Sequence, residues 1–224
     1  MKRLLVTAVW FAVCCCRPAG LAAENPREGL KMEEQRSGTW TPGLTAAEQE
    51  TIFAIARDTL QWCVQGQSRK FDMAPYQITP KLKTILATFV TLKIAGELRG
   101  CIGSLEAREP LYLSVHGNAV NAAMHDPRFS PLQAEELPAV QIHVSILSPL
   151  TDIAGPDEFR LGRHGIILSK GGRRAVFLPE VAVEQHWTRE ETLTYLSRKA
   201  GLPPDAWQHG AAFQVFESVV LARE

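Results

Sequence analysis

The sequence predicts an α+β domain built on a mostly antiparallel sheet with flanking helices. Two hairpin patterns, each with a glycine-containing turn, occur in mixed order with amphipathic helices that begin at capping boxes. The 224 residues are 46% apolar, which is a globular composition sufficient for one or two domains. Because 24 basic side chains balance 24 acidic ones, nothing in the composition favours a nucleic acid as partner.

The first 23 residues have the order of a secretory signal peptide. Lys2 and Arg3 precede an apolar run at residues 4–16, and small residues follow up to Ala23. The run is shorter than the roughly 20 apolar residues that span a membrane, so we expect cleavage and a secreted or periplasmic protein without a membrane span. Two alternatives stay open: translation from Met32 would give a cytoplasmic protein, and an uncleaved run would act as an anchor.

The number of cysteines excludes a disulfide scaffold. Loss of residues 1–23 leaves 21 basic and 24 acidic side chains, a net charge of −3, and two of the five cysteines, Cys63 and Cys101. The other three cysteines lie where a lipoprotein carries its lipid, although Val13 is larger than the residue that normally precedes such a cysteine. There is no Cys-x-x-Cys pair and no histidine pair with a third ligand nearby, so we expect no metal and no cofactor.

The rest of the chain divides into a linker and one folded domain. Residues 24–44 are polar and interrupted by glycine and proline, without a helical or strand period, which predicts a flexible linker. Thr45 and the glutamate three residues later form a capping box that opens a helix. Apolar spacings of three and four place Cys63 on the buried stripe of that helix, and the domain occupies residues 45–224.

The later elements alternate between strands and helices. Turns at Ala95-Gly96 and Gly171-Gly172 predict two hairpins, and a second capping box begins at Thr188. The predicted elements are a helix at 45–65, strands at 85–94 and 97–105, helices at 110–125 and 132–137, strands at 140–147, 165–168 and 174–178, a helix at 188–200 and a strand at 213–221. Alternation in the strand at 140–147 places His143 opposite the apolar face, as a surface histidine.

Residues 98–103, Leu-Arg-Gly-Cys-Ile-Gly, form an unusual strand sequence. Glycine weakens a strand and marks a bulge or a close backbone approach, and here two glycines bracket a cysteine. With this hexapeptide the sequence resembles the AMMECR-one domain family, known in bacteria as AmmeMemoRadiSam system protein A. The resemblance runs from about residue 45 to the C-terminus through further segments in the family's order: Asp126-Pro127-Arg128-Phe129, Glu135-Glu136-Leu137-Pro138, Val144-Ser145-Ile146-Leu147-Ser148, His164-Gly165-Ile166 and Phe177-Leu178-Pro179-Glu180-Val181-Ala182.

The resemblance implies an AMMECR-one-like fold of two lobes, with the hexapeptide lining a cleft between them. It also implies an association with a Memo-type protein and a radical S-adenosylmethionine protein, but no established reaction. Export would separate this chain from a cytosolic iron–sulfur partner, which argues against the three-component association for this chain.

Cys101 is the candidate nucleophile or attachment site, because the glycines beside it have no evident packing role and present it on unusual backbone. Arg99 would stabilise a thiolate if the strand is regular; the alternative is an ion pair between Arg99 and Glu97 or Asp126. Weaker candidates for a proton carrier are His116 and His125.

The remaining candidates are assigned to the binding cleft. They are Gly100, Gly103, Asp126, Arg128, His164 and Glu180. Structural alternatives exist: Asp-Pro favours a turn, Arg128 could bind helix carbonyls, and Glu180 suits the first turn of a helix. We therefore expect an accessory module that binds an unknown small ligand or protein around Cys101. The alternative is a thiol-dependent enzyme or a covalently modified protein.

Overall fold

The computed structural model describes residues 32–223, in which two antiparallel sheets pack with four α-helices and confirm the α+β class. The strands are β1 (Met32–Arg36), β2 (Thr88–Ile94), β3 (Glu97–Gly103), β4 (Val140–Leu147), β5 (Thr151–Ile153), β6 (Gly165–Lys170), β7 (Arg173–Phe177), β8 (Ala212–Phe216) and β9 (Ser218–Arg223). The helices are α1 (Ala46–Val64), α2 (Leu111–Met124), α3 (Pro179–Glu184) and α4 (Arg189–Lys199), with 3₁₀ helices at Ala134–Ala139, Pro156–Glu158 and Ala206–Gln208.

The two sheets form two lobes with separate cores. The first sheet has the strand order β1-β9-β4-β2-β3 and packs one face against α1 and α2; the second has the order β5-β8-β6-β7 and packs against α4. A smaller apolar cluster joins the lobes; its buried members are Ala87, Leu147, Ile167 and Phe216. Within residues 32–223, no helix is both long and apolar enough to cross a membrane.

Local sequence signals account for most of these elements. Both predicted capping boxes are present, at Thr45 and Thr188, and begin α1 and α4. The turns of both predicted hairpins have positive φ at their two central residues, 52° and 84° at Ala95-Gly96 and 57° and 75° at Gly171-Gly172. Turns of this kind match the twist of paired strands, and they connect β2 to β3 and β6 to β7.

Part of the predicted linker is a strand. β1 pairs with β9 from Met32 opposite Arg223 to Arg36 opposite Val219. An edge strand with a mostly polar sequence shows no apolar alternation, because backbone hydrogen bonds rather than side chains hold it. The linker prediction is therefore wrong from Met32 to Arg36. Residues 1–31, which include the predicted signal peptide, lie outside the described residues.

The predicted strand at 213–221 is two strands in different sheets. Glu217 separates β8 from β9, and its backbone N–H donates to Ser148 Oγ at 2.9 Å. Its buried carboxylate accepts the backbone N–H of Trp40 at 2.6 Å. These contacts hold the chain at the point where it crosses from one lobe to the other.

Candidate functional site

Arg99 is a bulge residue and does not share the regular strand with Cys101. In the pairing of β2 with β3, Leu92 opposes Gly100 and Lys93 opposes Leu98, so Arg99 is the extra residue. Its Nε and Nη2 donate to the two carboxylate oxygens of Glu136 at 2.7 and 2.8 Å. Arg99 thus forms an ion pair, with Glu136 rather than with either predicted partner, and its role as stabiliser of a Cys101 thiolate is not supported.

The glycines of the hexapeptide have packing roles, contrary to the expectation from sequence. A Cβ at Gly100 would lie far inside van der Waals distance of the carbonyl oxygen of Ala122 on α2. A Cβ at Gly103 would overlap the ring of Phe89 on β2. Gly100 and Gly103 therefore permit a helix and an aromatic ring to pack on β3, and they are not themselves evidence of a ligand.

The backbone of Cys101 is held by charged side chains at the free edge of β3. Its N–H donates to Asp126 Oδ2 at 2.8 Å, and its carbonyl oxygen accepts from Arg128 Nη2 at 3.1 Å. Arg128 also donates to Asp126, through Nε at 2.9 Å and Nη2 at 2.7 Å. We call this arrangement of Asp126 and Arg128 around Cys101 the edge clamp.

The carboxylate of the edge clamp is buried and ionised. Asp126 is 4% exposed, and hydrogen bonds from the Arg128 guanidinium hold the pKa of Asp126 well below its usual range. The pKa of Arg128 is raised, first by Asp126 and further by Cys101. Arg128 therefore lies beside Cys101, the position that the sequence analysis assigned to Arg99.

The thiol of Cys101 is free and half-buried, and the hydroxyl of Thr91 donates to its sulfur at 3.2 Å. Cys63 is also free, but it is buried in α1, and burial raises the pKa of its thiol to about 11. The prediction that Cys63 is a core residue is confirmed. The two thiols therefore differ in exposure, and only Cys101 is presented to solvent.

A row of polar side chains crosses the sheet from Cys101. Thr91 on β2 lies opposite Cys101 on one side and opposite His143 on β4 on the other, and opposed residues share a sheet face. With strands roughly 4.8 Å apart, the backbones of Cys101 and His143 are about 10 Å apart. Burial, together with the charge of Lys93, lowers the pKa of His143, which favours the neutral imidazole.

Glu180, in the other lobe, is close enough to Lys93 for their charges to interact. It is half-buried in the first turn of α3, as predicted, and burial raises the pKa of its carboxyl while Lys93 lowers it. Lys93 is two residues from Thr91 on β2, so it points to the same side of the sheet. We call Cys101, Thr91, His143, Lys93 and Glu180 the thiol face. Alternation alone placed His143 correctly on the polar side, but the strand pairing that aligns it with Cys101 is not local in sequence.

The other predicted histidines lie elsewhere. His116 packs between α1 and α2, with Nδ1 2.8 Å from Thr59 Oγ and its ring 4.4 Å from that of Phe71, so it is on the opposite side of the first sheet. His125 is the exposed cap residue of α2, and no hydrogen bond between it and the thiol is present in residues 32–223. Neither position supports a role as proton carrier for Cys101.

His164 lines a cavity at the junction of the two sheets. This cavity of about 530 Å³ is lined by residues that include Trp40, His164 and Glu217, and a smaller one of about 340 Å³ lies between α1 and β4. Neither is lined by a hexapeptide residue, so Cys101 lies outside both cavities. Across the described part of the chain, no group of three or more His, Cys, Asp or Glu side chains is arranged to hold a metal ion.

This fold is that of a known family. A family model, AMMECR1, matches residues 53–221. The chain belongs to the AMMECR1 family. The Methanopyrus kandleri protein MK0488 is 36% identical over 191 residues, which are 81% of this chain and 91% of that protein. The Nanoarchaeum equitans protein NEQ441 is 37% identical over 160 residues, 68% of this chain and 87% of its own length.

A solved structure of the family has the same architecture. The crystal structure of the uncharacterized protein PH0010 from Pyrococcus horikoshii superposes with a TM-score of 0.72 at 28% sequence identity. The match covers 82% of this chain and 99% of the archaeal one. The AMMECR1 family thus accounts for the fold of both lobes, while the names of these relatives assign no reaction.

Proposed function

We propose that this AMMECR1-family chain is an accessory module that binds a small polar ligand or a partner protein through the thiol face. The edge clamp carries this proposal. It occupies both backbone groups that Cys101 turns toward the free edge of β3, so the backbone that carries the thiol is fixed before any ligand arrives. Fixing a binding group in advance reduces the entropy lost on association.

The thiol face contains polar groups of several kinds. Thr91 supplies a hydroxyl, His143 an imidazole of lowered pKa, and Lys93 and Glu180 opposite charges from two lobes. Arg128 is half-exposed, with its side chain at 53% of full accessibility, and its guanidinium can also receive an acceptor group. A ligand with both hydrogen-bond donors and acceptors matches this surface better than an apolar one.

A screen with a protection assay tests the binding proposal. Small polar metabolites that raise the unfolding temperature are tested for protection of Cys101 from alkylation by iodoacetamide, measured by intact mass. We expect a true ligand to protect the thiol, to bind Cys101→Ser almost unchanged, and to lose affinity in Lys93→Met. Glu97→Gln, an exposed change on the same hairpin, is the matched control. The proposal would be refuted if the compounds that stabilise the protein bind Lys93→Met with unchanged affinity and leave Cys101 reactive toward iodoacetamide.

The second candidate function is that of a thiol-dependent enzyme or a covalently modified protein with Cys101 as nucleophile or attachment site. The observation that favours it is the Arg128 guanidinium beside Cys101, because a neighbouring cation stabilises a thiolate. His143 could exchange protons with the sulfur only through Thr91, given the spacing of the strands. A covalent adduct that appears by mass in the parent protein and is absent in Cys101→Ser would establish this function instead.

Export is a separate proposal. It is supported by the basic, apolar and small-residue order of residues 1–23, and it places the module outside the cytoplasm, away from Memo-type and radical S-adenosylmethionine proteins. N-terminal sequencing of the protein from fractionated cells is expected to show a chain that begins after residue 22 or 23. A cytosolic chain that begins at Met1 or Met32 would contradict export and restore the three-component association.

A further inference from the structure

The cavity at the junction of the two sheets is a second site, separate from the thiol face. It lies where β4 leads into β5 and β8 leads into β9, and no residue of the hexapeptide lines it. Its volume of about 530 Å³ falls within the range of small-molecule sites, roughly 300–1,000 Å³. The geometry therefore allows a ligand here that never contacts Cys101.

An ion pair between the half-exposed Arg163 and the buried Glu217 forms the polar end of the cavity. Glu217 is 8% exposed, and its carboxylate accepts from Arg163 Nε and from the Trp40 N–H, both at 2.6 Å. Burial alone would raise the pKa of Glu217, but these two hydrogen bonds lower it. Both carboxylate oxygens therefore have partners within the protein, and Glu217 serves to position Arg163.

Arg163 and His164 have N–H groups left for a ligand. A guanidinium has five N–H donors, and the contacts of Arg163 within residues 32–223 are with Glu217 and, at 3.5 Å, with Thr39 Oγ. The Nδ1 atom of His164 accepts the backbone N–H of Arg160 at 3.3 Å, so the neutral ring carries its proton on Nε2. Two neighbouring residues thus present donors, whereas both oxygens of the Glu217 carboxylate already have hydrogen-bond partners.

The other walls of the cavity are mostly apolar. The apolar lining consists of Trp40, Pro149, Ile153, Val215 and Phe216, and Ser148, Thr151 and Glu158 add polar groups. The carboxylate of Glu158 accepts the backbone N–H of Ala154 at 2.9 Å. An apolar enclosure with a few convergent donors is typical of a site for a small organic molecule. We propose that this cavity binds a small monocarboxylate with a compact apolar body, whose carboxylate accepts from Arg163 and His164.

Two probes with one carbon skeleton test the proposal by calorimetry on the purified protein. They are 3-phenylpropanoate, which carries the carboxylate, and 3-phenylpropanol, which lacks the charge. We expect the carboxylate to bind roughly ten-fold or more tightly than the alcohol, because hydrogen bonds to charged groups are the stronger ones. Equal binding of the two probes, or no binding of the carboxylate, would overturn the proposal.

Three variants locate the site. Thr151→Phe places a ring in the cavity from an exposed strand position and should abolish binding, whereas Thr151→Val keeps the volume and should preserve it. Arg163→Lys keeps a positive charge beside Glu217 but removes the planar guanidinium, which can donate two parallel hydrogen bonds. It should weaken the binding of 3-phenylpropanoate by roughly ten-fold and have little effect on the binding of 3-phenylpropanol. Unchanged affinity in Thr151→Phe would also refute the site.

The same measurement separates this site from the thiol face. Cys101→Ser should bind 3-phenylpropanoate as the parent protein does, because no hexapeptide residue lines the cavity. A loss of binding in Cys101→Ser would show that the carboxylate is bound at the thiol face, which would contradict this inference while leaving the proposed function intact. Circular dichroism and the unfolding midpoint confirm for each variant that the fold is kept.

Discussion

Asp126→Asn tests the edge clamp with almost no change in volume. Asp126 is 4% exposed and accepts four hydrogen bonds, one from Cys101 N–H and three from Arg128, at distances between 2.7 and 3.1 Å. An amide can accept through only one of its two terminal atoms, so about half of these bonds are lost. Hydrogen bonds to charged groups contribute about 1.5–3 kcal/mol each when buried.

The expected loss of stability is smaller than the sum of the broken bonds. The Arg128 side chain is 53% exposed, so water replaces part of its interaction with the carboxylate. The half-buried N–H of Cys101 loses its acceptor if the amide of the variant turns its NH₂ group toward it. We therefore expect Asp126→Asn to lower the free energy of unfolding by about 2–3 kcal/mol at pH 7, measured by urea denaturation.

The effect of Asp126→Asn should depend on pH. The carboxyl of Asp126 has a lower pKa in the folded chain than in the unfolded chain, where it is about 3.9. Its contribution is therefore complete above about pH 4 and is lost as the pH falls toward the folded pKa. The stability difference between the parent protein and the variant should be constant from pH 7 to 5 and shrink below pH 4. Glu135→Gln, at an exposed carboxylate on the nearby 3₁₀ helix, is the control.

Two results would refute this account of the edge clamp. A loss below about 0.5 kcal/mol at pH 7 would mean that the buried carboxylate contributes no more than an ordinary surface residue. A difference that stays constant down to pH 2 would mean that the charge of Asp126 is not what stabilises the strand. The alkylation rate of Cys101 supplies an independent readout, because a released β3 edge would change access to the thiol.

The remaining predictions concern packing and thiol reactivity. Gly100→Ala should destabilise the chain by about 2–3 kcal/mol, because the added methyl group would overlap the Ala122 carbonyl oxygen. Gly117→Ala, in the same helix as Ala122 but with open space around it, should be neutral or stabilising by up to about 1 kcal/mol; equal effects in urea denaturation would contradict the packing role of Gly100. Native iodoacetamide labelling should modify Cys101 at least about ten-fold faster than Cys63, because only deprotonated and accessible thiols react. Comparable rates at the two positions would show that the helix carrying Cys63 opens readily.

The sequence was sufficient to predict elements that depend on neighbouring residues. The capping box at Thr45 and the turn at Ala95-Gly96 act within four residues, so their patterns are visible along the chain. β1 and the break at Glu217 depend on contacts between distant segments. The backbone N–H of Trp40 donates to the carboxylate of Glu217, which is 177 positions away, and no local sequence pattern predicts this hydrogen bond. The division of the C-terminal strand between two sheets was therefore not predictable from alternation.

The segments that form the candidate site were identified from the sequence, but the contacts between them were not predicted. The hexapeptide and Asp126-Pro127-Arg128 were both singled out, and the structure joins them. The cation beside Cys101 is Arg128 and not Arg99, since a single extra residue in β3 turns Arg99 toward Glu136 while Asp126 holds Arg128 against the backbone of Cys101. A bulge changes which face a side chain points to, and its position depends on the register of β2 against β3.

The edge clamp connects the stability of the fold to the presentation of the thiol. β3 is the last strand of the first sheet, and an unpaired edge is liable to pair with another chain unless charged groups block it. Asp126 and Arg128 block that edge at one residue, Cys101, by occupying both its N–H and its carbonyl oxygen. Blocking the edge alone would not require a buried carboxylate, because an exposed lysine or proline is sufficient in many sheets. The edge clamp also fixes the backbone beneath a half-exposed thiol. Protection of the edge does not explain this feature, whereas the proposed role of the thiol face in binding does.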